Sequence, residues 1–89
     1  MKAIVTVVGK DRVGIIAGVC TALATFNVNV LDISQTVMQG YFTMMMVVDV
    51  SGATCPVAEL AQKLDEKGKE MGLSIRLQRA EIFKTMHRV

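Results

Sequence analysis

The chain has 89 residues, enough for one domain, and a domain of this size buries only about 60–65% of its unfolded surface. Yet 52% of its residues are hydrophobic and the mean hydropathy is +0.44, more apolar surface than so small a core absorbs, which points to a partner subunit. Ten Lys and Arg against eight Asp and Glu leave a net charge of +2, no basic stripe is present, and four aromatics without a tryptophan offer little stacking surface, so nucleic-acid binding is not expected.

Met1-Lys2 precedes an apolar run at residues 3–8, but Lys10-Asp11-Arg12 cuts that run off before any cleavage site, which argues against a signal peptide. The run is rich in β-branched residues and apolar on both phases, as a central strand is. A turn-rich stretch, 9–14, leads to a predicted helix over 15–26, with Ile15, Val19, Leu23 and Phe26 on one face and Ile16 and Cys20 beside it. The stretch 13–24 is apolar apart from Thr21, yet too short to span a bilayer, so a soluble, cytoplasmic protein is expected. Two cysteines, Cys20 and Cys55, without CxxC spacing fit a reduced compartment better than a disulfide framework.

Residues 27–29 close the helix, and a second strand is predicted over 30–38. Leu31, Ile33 and Val37 share one phase, but Gln35 falls on it too, which requires either a nearby bulge or a polar neighbour on that face. Gln39-Gly40 reads as a hairpin turn into a third strand over 41–50. Phe42, Met44, Met46, Val48 and Val50 form one phase, and Tyr41, Thr43, Met45, Val47 and Asp49 the other, which is too apolar for open solvent. Pro56 suits a first helical turn, and Val57, Leu60, Ala61, Leu64, Gly68 and Met71 recur at helical spacing before the stop at Gly72. Glu59/Lys63 and Asp65/Lys69 are i,i+4 pairs in the favourable order. Leu73, Ile75 and Leu77 alternate with Ser74, Arg76 and Gln78 in a fourth strand, and Ile82, Phe83, Met86 and Val89 are spaced for a short amphipathic helical tail.

The order is β-α-β-β-α-β plus a tail, two β-α-β halves at 1–39 and 41–80. This is the α+β, ferredoxin-like pattern: an antiparallel four-stranded sheet with both helices on one face. A domain over 3–80 and a tail over 81–89 follow.

Chemistry is sparse along this chain. Gly9 and Gly14 have the spacing of a phosphate loop, but Ile15-Ile16 stand where Lys-Ser/Thr is needed, so nucleotide chemistry fails there. What remains is a turn feeding a helix N-terminus, whose free N–H groups favour a carboxylate or other anion, unless Asp11 merely caps it. Gly14 and Gly18 form a small-xxx-small pattern suited to close helix packing. Asn27 and Asn29 are either ligand contacts or turn residues. Met44 and Met46 alternate with Met45 and cannot converge with it on one soft metal ion, and His87 stands alone. No nucleophile–base pair or paired carboxylates emerge, so neither an enzyme nor a cofactor site is expected.

Two motifs carry a family resemblance: residues 9–19, GKDRVGIIAGV, with their Asp-Arg-x-Gly-Ile turn, and residues 29–37, NVLDISQTV, with 41–44, YFTM. Together they resemble the ACT domain, and more specifically the small stand-alone single-ACT proteins of bacteria and archaea, over nearly the whole chain. The resemblance implies binding of an amino acid or related metabolite at a homodimer interface, between the first strand–helix loop of one copy and the start of the second strand of the other. On this chain the loop residues would be Asp11, Arg12, Val13, Gly14 and Ile15, and the strand residues Asn29, Val30 and Leu31. Backbone N–H groups near Gly14 would hold a carboxylate, and Asn29 or Asp32 an ammonium. Most ACT domains are attached to the protein they regulate; a lone copy would act in trans, act as a sensor or buffer, or use the domain only as an assembly surface. The competing expectations are an assembly module that needs no ligand and a small acylphosphatase-like enzyme, for which Arg12 lacks the required loop pattern.

Overall fold

A computed structural model describes residues 1–79. The β-branched N-terminal run forms β1 (Lys2–Lys10), followed by α1 (Ile15–Thr25), β2 (Asn29–Met38), β3 (Tyr41–Asp49), α2 (Val57–Met71) and β4 (Ser74–Arg79). The strands make one antiparallel sheet in the order β2-β3-β1-β4, so the ferredoxin-like expectation is met. Pro56 stands one place before α2, extended at φ −61°, rather than inside its first turn. The predicted tail helix over 81–89 lies outside the described residues.

Alternation decides which side of the sheet is dry. Val5 pairs with Met46 and Leu77, and Val7 with Met44 and Ile75, so β1, β3 and β4 present one continuous apolar layer. Ile15, Val19 and Leu23 of α1 and Leu60 and Leu64 of α2 close over it, and no polar or charged side chain is buried among the described residues. Met44 and Met46 are 0% exposed whereas Met45, on the other phase, is 39% exposed, so the methionines part as their spacing requires.

β2 is one of the two outer strands, and only Val30 in it is partly buried. Val30 pairs with Val48 but Asp32 with Val47, which leaves Leu31 as the extra residue of a bulge. The bulge drops Leu31 out of phase and keeps Ile33, Gln35 and Val37 on the helix side with Val30. At the hairpin, Gln39 (φ 51°) and Gly40 (φ 81°) both take positive φ, as a type I′ turn demands. Asp65 and Lys69 pair at 3.4 Å, but the expected Glu59–Lys63 pair does not form: the Lys63 ammonium lies 5.7 Å from the centre of the Phe26 ring instead.

The helices reach the sheet and each other through glycines. A Cβ on Gly18 would lie 2.6 Å from Met71 Cε, so α1 meets the end of α2 there; of the Gly14-xxx-Gly18 pair only Gly18 serves helix–helix contact. A Cβ on Gly68 would lie 2.8 Å from the Leu73 carbonyl oxygen, a backbone atom that cannot swing away. Alanine is the better helix former by about 1 kcal/mol at either position. Gly68→Ala is nevertheless expected to cost about 1–3 kcal/mol through overpacking, whereas Gly18→Ala, opposed only by a flexible side-chain tip, should be neutral or slightly stabilising. Urea midpoints of the two variants check this, and the reverse order would refute it.

Candidate functional site

The β1–α1 loop, residues 11–14, is pinned on two sides. The Asp11 N–H donates to the Gly40 carbonyl at the hairpin, 2.8 Å away, and the Arg12 guanidinium donates to the Met71 carbonyl at the end of α2. The second contact places a cation at the negative end of a helix. Val13, which follows these anchors, is fully exposed.

Gly14 takes φ 91° and forms the N-cap of α1; a Cβ there would meet nothing within 4 Å, so backbone conformation and not crowding calls for glycine. Its carbonyl accepts the Gly18 N–H at 2.9 Å and opens the helix. Asp11 does not cap it: α1 has no side-chain cap and no acidic residue in its first turn. A helix start without a side-chain cap leaves first-turn N–H groups free to bind an anion or water.

Beside this helix start lies a cleft of about 310 Å³, lined by Asp11, Arg12, Gly14, Ile15, Ile16, Ala17, Gln35, Val37 and Phe42. It stands at the lower end of the size range of small-molecule sites. Gln35, Val37 and Phe42 enter from the sheet and were not among the residues singled out from the sequence. The signal for Gln35 was its place on an apolar phase: it is exposed on the edge strand and borders the cleft.

The strand residues lie elsewhere in the same chain. Asn29 pairs with Asp49 at the far end of the sheet, while Val37 pairs with Phe42 beside the loop, about 24 Å away at strand spacing. One chain therefore gathers Asp11, Arg12, Val13, Gly14 and Ile15 at one end and Asn29, Val30 and Leu31 at the other, and does not bring the two groups together. Asn27 is a turn residue, at φ 58° with its side-chain amide donating to the Gly52 carbonyl at 2.8 Å. Asp32 accepts the Ile33 N–H at 2.9 Å. Asp49 is held below the usual carboxylate range chiefly by the Ser51 N–H and hydroxyl, with the N-terminal ammonium 3.5 Å away adding to this. Among the described residues no three His, Cys, Asp or Glu side chains cluster to hold a metal ion, both cysteines are free, and no helix is long and apolar enough to cross a membrane.

An ACT-domain family model matches residues 2–78. A UPF0237 protein of Clostridium acetobutylicum is 55% identical over 89 residues, covering 100% of both chains, and similar full-length relatives occur in archaea. The solved structure of an ACT domain protein from Streptococcus pneumoniae is 46% identical, covers 93% of each chain and superposes with a TM-score of 0.83. The regulatory subunit of aspartate kinase from Thermus thermophilus, 26% identical, matches 86% of this chain and 50% of its own with a TM-score of 0.67. With its motifs, its fold and its full-length relatives in agreement, the chain belongs to the ACT-domain family, in its small single-domain UPF0237 group.

Proposed function

We propose that this chain is a non-catalytic regulatory module that binds an amino acid or closely related metabolite between two copies of itself and acts in trans on another protein. ACT domains are regulatory ligand-binding modules, and a regulatory subunit stands among the structural neighbours. The observation that carries the reading is the uncapped start of α1 at Gly14, opening on a cleft beside the free edge of β2.

The separation of the two residue groups supports the dimer. Pairing β2 antiparallel with β2 of a second copy would set the start of one strand against the end of the other. Asn29, Val30 and Leu31 of the second copy would then approach the first copy's loop. The edge is suited to such pairing: it carries Leu31, Ile33 and Val37 exposed, and neither proline nor lysine, the residues that commonly blunt a free edge. In this arrangement the N–H groups beside Gly14 hold the ligand's carboxylate, Asn29 or Asp32 across the interface receives its ammonium, and Ile15 and Val37 flank its side chain. Arg12, tied to Met71, holds the loop in place. One observation favours assembly without a ligand: Tyr41 and Met45 stand exposed on the helix-free face.

A thermal screen against the twenty amino acids at fixed protein concentration tests the ligand. A ligand at a hundred times its Kd adds about 2.7 kcal/mol, on the order of 10 °C for a domain this small. One or two related amino acids are expected to give that shift, Gly14→Leu to abolish it, and Asn29→Ala to reduce it. A flat screen on folded protein would overturn the ligand reading and favour the assembly module. Ile33→Lys places like charges at the middle of the paired β2 strands. It is expected to weaken edge pairing and ligand affinity together, read by sedimentation and titration on one sample; loss of either alone would separate the site from the dimer.

A further inference from the structure

The helix-free face of the sheet is not evenly wet. Ile4, Thr6 and Val8 of β1 point to it, and Val8 is 42% exposed while Ile4, four residues earlier, is 4% exposed. Among the described residues, every other buried apolar side chain belongs to the core beneath the helices, and Ile4 does not. Its register partners Val47 and Gln78 flank it within the sheet rather than cover it. An antiparallel sheet with helices on one face commonly leaves the other wet, so Ile4 needs a cover of its own. Gln78 and Arg79 are also where the described chain leaves the sheet, on β4, one strand interval of about 4.8 Å from β1.

We propose that residues 80–89 of the same chain are that cover, laid across the strands over the row Gln78, Ile4, Val47 and Asp32. Ile4 is dry in a lone copy, which sets the cover within the chain. Length and spacing fit. As a helix, residues 81–89 span about 14 Å, the width of the three strand intervals from β4 to β2. Phe83, Met86 and Val89 recur every three residues, about 4.5 Å of helix rise, which nearly matches one strand interval. Phe83 then rests on Ile4 and Met86 on Val47. Val89 reaches the shallow hollow of about 150 Å³ between Met45 and Val47 on β3 and Asp32 and Ser34 on β2. Charge runs in the same direction. The segment opens with Glu81 and closes with Lys84, His87 and Arg88, while the face carries Arg76 on its β4 margin and Asp32 on its β2 margin, neither ion-paired among the described residues. The exposed side of α2, the other surface beside β4, carries Glu59, Asp65, Glu66 and Glu70 and offers no apolar bed. The rows of Val8 and Tyr41, nearer the hairpin, stay open. This contact leaves the cleft beside Gly14 untouched and does not depend on the ligand reading.

Disulfide trapping in the full chain tests it, with Cys20→Ser and Cys55→Ser removing the native thiols and far-UV circular dichroism confirming the fold. Val47→Cys with Met86→Cys is expected to close within one chain under mild oxidation, since a disulfide needs Cα atoms within about 7 Å. Thr43→Cys with Met86→Cys, about 14 Å further along β3, is expected to stay reduced. A second measurement reads the cover at Ile4 itself. The Ile4→Cys thiol is expected to alkylate about tenfold faster when Phe83→Ser is added, and no faster with Lys84→Ser. A bond between chains on a non-reducing gel, which would make a second copy the occupant, overturns the proposal. So do thiols that stay reduced in both pairs of a folded protein, or an Ile4→Cys thiol indifferent to Phe83→Ser.

Discussion

The architecture turns on one crowded place, where α2 ends and β4 begins. Gly68 approaches the Leu73 carbonyl, Gly18 brings α1 against Met71, and Gly9 brings the end of β1 against Leu73. Arg12 adds a charge-assisted hydrogen bond to the Met71 carbonyl. These contacts join β1, both helices and the loop between β1 and α1 at a single turn, itself made possible by the left-handed Gly72. The shape of the loop is therefore a property of the packing around it. Its apolar core has no buried polar group among the described residues to fix its register. Close backbone approaches supply that specificity instead.

The surplus of apolar residues resolves into two surfaces with different chemistry. One is the β2 edge, rich in unpaired backbone groups and flanked by the cleft. The other is part of the helix-free face, where Val8, Tyr41 and Met45 stand exposed while Ile4 is 4% exposed. Backbone pairing is directional and fixes register. An edge contact suits the ligand site proposed above.

Local patterns were legible in the sequence because they obey periods of 2 and 3.6. The element order, the alternation of Met44, Met45 and Met46, and the stop at Gly72 all followed from spacing. Contacts between residues distant in the chain were not legible. Lys63 turns to Phe26 rather than Glu59 because the packing of α1 on α2 presents an aromatic face. Arg12 reads as an exposed loop cation until the end of α2, 59 residues onward, arrives beside it. Gln35 was visible as an anomaly, but its meaning needed both the bulge at Leu31 and the cleft under α1. The division of the candidate site between the two ends of the sheet was not legible from spacing either; only the family resemblance set the loop and the start of β2 on different copies.

That division has a genetic consequence. If each site takes its loop from one chain and its strand start from another, the two functions can be repaired separately. A chain damaged at Gly14 still offers a sound Asn29, and a chain damaged at Asn29 still offers a sound Gly14. Mixed in one cell, the two would form hybrid pairs in which one site inherits both defects and the other neither. Two inactive alleles would thus restore each other's function, up to one working site per hybrid.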